Sequence, residues 1–278
     1  MENSIEIVLV LYHCSLEDSA TFSTLVEPLN KTVLDYELIL FNNDRLQKIE
    51  STQYLVVNSE ENVKLAGAYN FALERAKING KSWILLLDQD TEVPENYFRE
   101  LEKLFSEAIP TDLAAVVPKL ESNGKQISPV HVSSCMRIER ELKNTGYTDC
   151  RMNGLNSLSL FRTDFINSMG GFSKEYPFDM LDHWCYNQIH KHKQLVYVLD
   201  VVGKHNASFA DFEKNVSVAR YKEFLEAQTK FIRKELGIWI LLFYKIKLSL
   251  RGFSQLLKYK NKKFAEITFI SIFKRFRE

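Results

Sequence analysis

Short apolar runs alternate with amphipathic segments through roughly the first 120 residues of the chain. Five runs are rich in apolar and β-branched residues, as buried strands are: residues 5–11, 37–41, 54–57, 83–87 and 114–117. Between them, residues 19–30, 61–77 and 94–108 are predicted to form helices. The alternation predicts a mostly parallel sheet with helices on both faces. Such sheets bind ligands at the carboxyl ends of their strands, so polar residues at several strand ends are expected to form one site.

The rest of the chain has a different character. Residues 122–148 are polar and predict loops with short strands, whereas residues 179–192 predict a helix and 195–199 a strand. From Arg220 onward the sequence is helical in pattern and basic. We therefore expect an α/β domain over residues 1–215 and a helical extension over residues 216–278.

Composition and charge narrow the possible classes of protein. Of 278 residues, 45% are hydrophobic and 26% are charged, which excludes a disordered chain or a disulfide-rich mini-protein. The net charge of zero hides an asymmetry: residues 221–278 carry 14 Lys and Arg against 5 Asp and Glu, a net of +9, and the remainder carries −9. A basic tail on an acidic body predicts an anionic partner for the tail. The acidic body would repel a nucleic acid duplex, so no nucleic acid partner is expected.

The cysteines and the apolar runs predict a cytoplasmic location. None of the four cysteines forms a CxxC pair, so a zinc site is not expected and reduced thiols are. The first residues lack the basic and apolar regions of a signal peptide. The longest apolar run, residues 236–244, is far shorter than the roughly 20 residues that span a bilayer.

Two carboxylates separated by one residue follow the apolar run at residues 83–87. Asp88 and Asp90 stand at a predicted strand end, where they can share one divalent cation and the diphosphate that it carries. Mg²⁺ and Mn²⁺ favour a few carboxylates together with phosphate oxygens. The alternative is an acidic turn that caps the next helix. The position directly after a buried strand favours the cation site.

Several blocks of sequence, in order, resemble family 2 glycosyltransferases, which are nucleotide-sugar enzymes of the GT-A fold. The blocks are Leu11-Tyr12-His13, Leu40 to Asp44, Glu61 to Asn70, Asp88-Gln89-Asp90, Asn156 to Arg162 with Gly170-Gly171-Phe172, and Phe178 to Trp184. The resemblance covers roughly residues 5–210. The branch that the blocks resemble most is that of bacterial rhamnosyltransferase-like enzymes of surface-polysaccharide assembly. The resemblance implies a nucleotide-sugar half over about residues 1–120 and an acceptor half over about 121–215.

The resemblance implies a donor site at the strand ends. Mn²⁺ or Mg²⁺ would be held by Asp90, Asp88 and His205. The nucleotide sugar would be bound by Tyr12, His13, Asn42, Asn43, Asp44, Asn70 and Asp88. The family usually has an aspartate in the second block for the nucleotide base; if the asparagines align, Phe41 takes its place, and Asn42, Asn43 or Asp44 is expected to make that contact. An ordinary strand-end role for His13 remains an alternative.

The resemblance also implies an inverting transfer with a carboxylate base. Asp179 and Asp182 lie three residues apart, so on a helix they would project from one face, and Asp182 is the preferred base. The alternative is a pair of carboxylates stabilised by the helix dipole. Ser157 and Trp184 are the expected acceptor contacts, although Trp184 also suits packing in a helix core. The acceptor would be a glycan or a lipid-linked saccharide.

The tail combines helical apolar spacing with clustered Lys and Arg. Basic amphipathic helices bind anionic membrane surfaces, which predicts a peripheral protein at the inner face of the cell membrane. The alternative is a helical pair that packs with a basic outer face.

Two other functions stay open for the chain as a whole. One is a non-catalytic nucleotide-sugar or glycan-binding protein of the same fold, and the other is a nucleotidyltransferase. The absence of Gly, Lys and Arg from residues 12–18 argues against the nucleotidyltransferase.

Overall fold

The structure is a computed structural model that describes residues 3–133, 139–205 and 216–273. These residues fall into two compact units. The first comprises residues 3–132 and 139–205, and the second comprises Ser133 and residues 216–273. The first unit is the α/β unit and the second is the helical unit.

A ten-stranded, mostly parallel sheet forms the centre of the α/β unit. Its strands are β1 (Ile5–Leu11), β2 (Tyr36–Asn42), β3 (Leu55–Asn58), β4 (Trp83–Asp88), β5 (Thr91–Glu92), β6 (Leu113–Ser122), β7 (Lys125–Ser128), β10 (Gly146–Thr148), β12 (Ser159–Arg162) and β13 (Leu195–His205). The order is β10-β13-β6-β12-β4-β1-β2-β3, with β5 paired to β13 and β7 to β6. The five predicted strands and their parallel arrangement are confirmed, and β12 runs antiparallel to both its neighbours.

Helices cover the sheet because its central strands, β1 and β4 among them, bury side chains on both of their faces. They are α1 (Ala20–Lys31), α2 (Lys64–Ile78), α3 (Tyr97–Phe105), α4 (Thr163–Ser168) and α5 (Leu181–Lys191). The alternate β1 residues Ile5, Ile7 and Leu9 share a core with apolar side chains of α1 and α3. Helix α2 packs on β1 and β4 and contributes its own buried alanines and Tyr69.

A smaller sheet and one long strand complete the α/β unit. The smaller sheet has the order β11-β8-β9 and consists of β8 (Val130–Val132), β9 (Glu139–Glu141) and β11 (Met152–Asn153). Strand β13 is longer than the predicted strand at residues 195–199, because a bulge between Val198 and Val202 lets it continue to His205. Its last two residues pair with β5, directly after the Asp88-Gln89-Asp90 turn.

The helical unit contains three α-helices and one π-helical turn among its described residues. They are α6 (Val218–Phe231), the π-turn (Ile232–Leu236), α7 (Ile238–Lys258) and α8 (Lys263–Phe273). Ser217 caps α6 by accepting a hydrogen bond from the Arg220 N–H. The predicted helical extension is confirmed over the described part of the tail. No helix in the described residues is long and apolar enough to cross a membrane.

Candidate functional site

Polar residues gather at the edge of the sheet where β1, β2, β3 and β4 end. These strands are parallel and in register, with Val10 opposite Asp88 and Leu11 opposite Asn42. The segments that follow therefore emerge side by side. Tyr12 follows β1, and Asp88 ends β4. The expected clustering of these motifs at one edge is confirmed.

The middle residue of the Asp88-Gln89-Asp90 turn ties two strand ends together. The Tyr12 N–H donates to Gln89 Oε1 at 2.8 Å, and Gln89 Nε2 donates to the Tyr12 carbonyl at 3.2 Å. The start of α1 supports the same turn, because the N-cap residue Ser19 donates its hydroxyl to the Gln89 carbonyl. Thr21 donates its hydroxyl to the Asp88 carbonyl. Backbone and side-chain hydrogen bonds thus fix the position of the acidic turn.

The Asp88 carboxyl group lies near two other acidic side chains and accepts a hydrogen bond from a tyrosine hydroxyl. The Tyr69 hydroxyl donates to Asp88 Oδ1 at 3.0 Å. Burial raises the pKa of Asp88 to about 7, and the nearby charges of Asp90 and Asp182 add to the rise, while the Tyr69 hydrogen bond opposes it. Among the residues that the structure describes, no cationic side chain contributes to this shift. Three carboxylates, those of Asp88, Asp90 and Asp182, therefore act on one another in the described part of the site.

Asp90 and His205 are brought together by the pairing of β5 with β13. His205 Nδ1 lies 3.6 Å from Asp90 Oδ1 and 2.7 Å from Thr91 Oγ1. Thr91 Oγ1 also lies 2.8 Å from Ser157 Oγ, which in turn accepts a hydrogen bond from the Asp88 N–H. A chain of hydrogen bonds thus connects the imidazole to the backbone of the acidic turn. Burial lowers the pKa of His205 and outweighs the opposing effect of Asp90, which favours the neutral ring.

These groups suit a divalent cation that arrives with other ligands. A carboxylate and a neutral imidazole are suitable donors for Mn²⁺ or Mg²⁺, and Asp90 and His205 are adjacent. Within the described ranges, no group of three His, Cys, Asp or Glu side chains could hold a metal ion. A cation at Asp90 would need further ligands, and phosphate oxygens are the usual ones for these ions.

Tyr12, His13 and Asp44 form a second cluster at the ends of β1 and β2. His13 Nδ1 lies 2.7 Å from Asp44 Oδ2, and the rings of Tyr12 and His13 have centroids 3.9 Å apart. Asp44 is nearly buried, whereas Tyr12 is 43% exposed. Hydrogen bonds from the Leu46 N–H and from His13 lower the pKa of Asp44. The cluster offers an exposed aromatic ring beside a fixed imidazole, which is a surface that a planar base could stack on.

The three predicted asparagines use their side chains inside the protein. Asn42 is 1% exposed and donates to Asn58 Oδ1 and to loop carbonyls. Asn43 is also buried and binds the backbone at the start of α2. The Asn70 amide pairs with both the N–H and the carbonyl of Phe172 at 2.8 and 2.9 Å. Asn42 and Asn43 thus shape the chain that follows β2, and Asn70 holds the segment at Phe172 against α2.

Asp182 and Asp179 differ in their backbone settings. Helix α5 begins at Leu181, because Met180 adopts a left-handed conformation with φ of 65°. The prediction that both carboxylates project from one helical face is therefore wrong, since Asp179 precedes the helix. Asp182 Oδ1 accepts hydrogen bonds from the N–H and from ring Nδ1 of His183. Burial acts to raise the pKa of Asp182, but His183 outweighs it, so the pKa falls below its usual value and the carboxylate is ionised at pH 7.

Asp182 lies close to the donor-side residues, whereas the two predicted acceptor contacts are buried. Its charge raises the pKa of both Asp88 and Tyr69, so the two acidic motifs share one neighbourhood. Ser157 is fully buried beneath Asp88, and Trp184 is 9% exposed in α5. Neither side chain presents an open surface to an acceptor in this structure.

The glycosyl transferase family 2 model matches residues 21–170, which is more than half of the chain. The chain belongs to glycosyl transferase family 2. The matched segment contains all of α1 except its first residue, the acidic turn, and the hydrogen-bonded Thr91 and Ser157. A comparison with curated proteins found no match.

Solved structures of S. aureus TarS share the fold of this family 2 member. A TarS structure is 17% identical, with a TM-score of 0.55, and covers 94% of this chain and 46% of its own. TarS 1–349 in complex with UDP is 15% identical over 94% of this chain and 76% of its own, with a TM-score of 0.57. TarS 1–349 in complex with UDP-GlcNAc is 14% identical over 97% and 81%, with a TM-score of 0.55. This chain spans just under half the length of the longer TarS chain. At these identities the likeness shows the GT-A-like fold.

Four residues of the candidate site were missing from the sequence-based prediction. They are Gln89, Thr91, Thr21 and Tyr69. Gln89 and Thr91 sit within and directly after the acidic motif, so adjacency was an available signal. Thr21 and Tyr69 come from α1 and α2, and only the folded arrangement brings them to Asp88.

Proposed function

We propose that this protein is an inverting glycosyltransferase that moves a sugar from a nucleoside-diphosphate donor to a hydroxyl of a glycan or lipid-linked saccharide. The proposed context is the synthesis of cell-surface polysaccharide. The observation that carries the proposal is the convergence of the acidic turn, His205 and Asp182 in a family 2 member. A binding protein without catalysis would not require an ionised carboxylate beside the cation ligands.

The donor is proposed to lie along the carboxyl edge of the sheet. Its base would stack at Tyr12, beside the His13 and Asp44 pair, and its diphosphate would lie toward Asp90. The TarS structures in complex with UDP and UDP-GlcNAc support uracil as the first base to test. The sequence resemblance adds nucleoside-diphosphate rhamnose to the donors that should be tested.

Asp90 and His205 are the proposed protein ligands of a Mn²⁺ or Mg²⁺ ion, with Asp88 nearby. When bound, the ion supplies Lewis-acid neutralisation of charge on the leaving diphosphate. Thr91 would orient His205 through its hydroxyl, since a metal-bound histidine normally donates its other ring N–H to a fixed acceptor. Gln89 would keep the turn in place while the donor enters and leaves.

Asp182 is the proposed base. The acceptor oxygen forms a bond to the anomeric carbon while the bond from that carbon to the diphosphate oxygen breaks. The proton of the attacking hydroxyl passes to the Asp182 carboxylate, and the electron pair leaves with the diphosphate. One in-line displacement inverts the anomeric centre. His183 holds Asp182 ionised through two hydrogen bonds on Oδ1.

Residues 221–278 are proposed to place the enzyme at the anionic inner face of the cell membrane, in the cytoplasm. Their net charge of +9 supports this location. A lipid-linked acceptor would be presented at that surface.

The test is turnover of a panel of nucleotide sugars with Mn²⁺, followed by NMR of the product. We expect transfer with an inverted anomeric configuration. Asp182→Asn should keep donor binding and lose transfer, whereas the exposed-site control Asp200→Asn should retain both activities. A retained configuration would reject the single-displacement mechanism, and turnover by neither protein with any sugar would reject the proposed function.

A further inference from the structure

Helix α7 exposes a continuous row of large apolar side chains. We call this row the apolar stripe; its members are Trp239, Leu242, Phe243, Ile246, Leu250, Phe253 and Leu257. Their exposed fractions range from 46% for Phe243 to 87% for Leu257. Leu242 and Phe243 are adjacent, and the other successive members lie three or four residues apart. All of them therefore fall on one face of an α-helix. Exposed apolar area of this extent is unusual for a protein surface without a partner.

The opposite face of α7 already provides the packing of the helical unit. Its buried residues are Leu241, Tyr244, Leu248, Gly252 and Gln255. They lie about half a helical turn away from the apolar stripe, so α7 is apolar on two faces. The face with these buried residues is covered by α8 and the π-turn, which pack on α7. The apolar stripe is therefore not needed for the packing of its own unit.

Buried polar contacts fix the rotation of α7 and hence the direction of the apolar stripe. Gln255 Nε2 donates to the Tyr221 hydroxyl at 2.9 Å, and the Thr268 hydroxyl donates to Gln255 Oε1 at 2.7 Å. Gly252 allows a close approach of α8, since a Cβ there would lie 2.8 Å from the Phe269 ring. Turning the stripe inward would leave these buried polar groups without partners, which is costly.

Charge identifies the chemistry of the partner. Helix α7 contains Lys245, Lys247, Arg251 and Lys258 and has no Asp or Glu. On a helical projection, Lys245 flanks the apolar stripe on one side, and Lys247 and Lys258 flank it on the other. A surface that is apolar in the middle and cationic along both borders complements a lipid bilayer with anionic headgroups. A second copy of the stripe would bring like charges together.

We propose that α7 lies in the plane of an anionic membrane surface with the apolar stripe inserted among the acyl chains. The flanking lysines would contact headgroup phosphates. This inference deepens the proposed function, on which it rests for a lipid-linked acceptor at the membrane. It goes beyond a basic tail held by charge alone, because insertion survives salt that screens charge.

Trp239 makes the insertion directly observable. The chain has three tryptophans, and Trp83 and Trp184 are buried whereas Trp239 is 74% exposed. Transfer of an indole from water to the acyl boundary shifts its emission to shorter wavelength. The shift therefore reports on the apolar stripe and on no other tryptophan of the protein.

The experiment uses the full chain with vesicles of mixed phosphatidylglycerol and phosphatidylcholine. The test variant is Phe243→Ser, Ile246→Ser, Leu250→Ser, and the control is Val33→Ser, Leu46→Ser, Ile78→Ser, three exposed positions of the α/β unit. We expect a blue shift of Trp239 and co-sedimentation for the wild type and the control. The test variant should bind on the order of 100-fold more weakly.

Three results would overturn the proposal. They are an unshifted Trp239 emission with bound vesicles, equal vesicle binding by the test variant, and complete release of the wild type by added salt. Sedimentation velocity supplies a further one: a dimer of the wild type that the test variant abolishes would assign the apolar stripe to a second copy. UDP binding by the test variant is measured in parallel. If no protein binds UDP or another nucleoside diphosphate, the donor proposal fails, while the vesicle result still decides the insertion.

Discussion

Two buried carboxyl groups on neighbouring strands of the same sheet have similar pKa values, but the charged side chains near them differ in sign. Glu6 lies near the start of β1, and Asp88 ends β4. Burial raises the pKa of each to about 7. Glu6 is at the amino edge of the sheet, and Asp88 is at the carboxyl edge.

Glu6 is surrounded by compensating groups of the protein. Arg75, Lys81 and the Asn79 amide all act to lower its pKa against burial and the charge of Glu37. Lys81 also pairs with Asp35 at 3.0 Å. Charges of both signs are therefore present at this edge.

Asp88 has no cationic side chain of this kind near it among the described residues. Its charged neighbours, Asp90 and Asp182, are acidic, and its hydrogen-bond donor on the side chain is the neutral Tyr69. An uncompensated cluster of carboxylates costs stability unless a cation binds. The comparison teaches that burial alone does not distinguish a structural carboxylate, such as Glu6, from one proposed to act at a site, such as Asp88. The sign of the charges around it does.

The largest effect is expected at Asp90. Asp90→Ala should lower the transfer rate by on the order of 10³-fold or more, because the cation that neutralises the leaving diphosphate loses its carboxylate ligand. EDTA should have a comparable effect on the wild type. Rates with the panel of nucleotide sugars provide the measurement. Full activity of Asp90→Ala in chelator would remove the cation from the mechanism.

The next effect is expected at Asp182. Asp182→Asn preserves the shape and removes the basicity, so the transfer rate should fall roughly 10²–10⁴-fold while donor affinity stays the same. Single-turnover kinetics and calorimetric donor binding separate the two quantities. Near-normal turnover would move the role of base to Asp179 or reject the site.

A smaller effect is expected at Thr91, which is buried between His205 and Ser157. Thr91→Val keeps the volume and removes the hydroxyl, so Mn²⁺ affinity in the presence of UDP should fall about 10–100-fold. Thr91→Ser should restore it. Electron paramagnetic resonance of free Mn²⁺ gives the affinity. Equal affinities for the valine and serine variants would show that the hydroxyl does not orient His205.

The smallest effect is expected at Glu6 and appears in stability alone. The folded pKa of about 7 lies above the unfolded value, so the wild type loses stability as pH rises from about 4.5 through 7. Glu6→Gln removes this loss and should stabilise the protein by about 1–2 kcal/mol at pH 8, with little change at pH 5. Urea unfolding at the two pH values measures it. A stabilisation that is equal at pH 5 and pH 8 would contradict the assigned cause.

Much of the α/β unit could be predicted because its strands are long apolar runs. The run at residues 83–87 and the acidic residues after it placed the turn at the correct edge. Helix α5 was predicted two residues too early, since nothing in the sequence marks Met180 as left-handed. The bulge that carries β13 on to His205 is likewise a consequence of pairing with β6. Local patterns predict elements, and long-range pairing decides where they end.

The candidate site was less predictable than the fold for the same reason. Asn42 ends β2, Asn43 follows it and Asn70 lies in α2, yet the side chain of each is hydrogen-bonded to a distant segment: Asn42 to the Asn58 side chain, and Asn43 and Asn70 to backbone groups. Their partners lie between 16 and 102 residues away along the chain. Spacing within the sequence carries no signal for such contacts.

Calorimetric binding of a nucleoside diphosphate, with Mn²⁺ and with EDTA, tests most directly whether the carboxyl edge is built for a cation. The ligand is whichever of UDP, GDP, CDP and dTDP binds best, and the proteins are the wild type, Asp90→Asn and Glu6→Gln. We expect Mn²⁺ to tighten binding at least about tenfold in the wild type and in Glu6→Gln, and to have no effect in Asp90→Asn. Equal affinity in Mn²⁺ and EDTA for the wild type, or an unchanged Mn²⁺ effect in Asp90→Asn, would contradict the claim that the uncompensated acidic turn receives the cation.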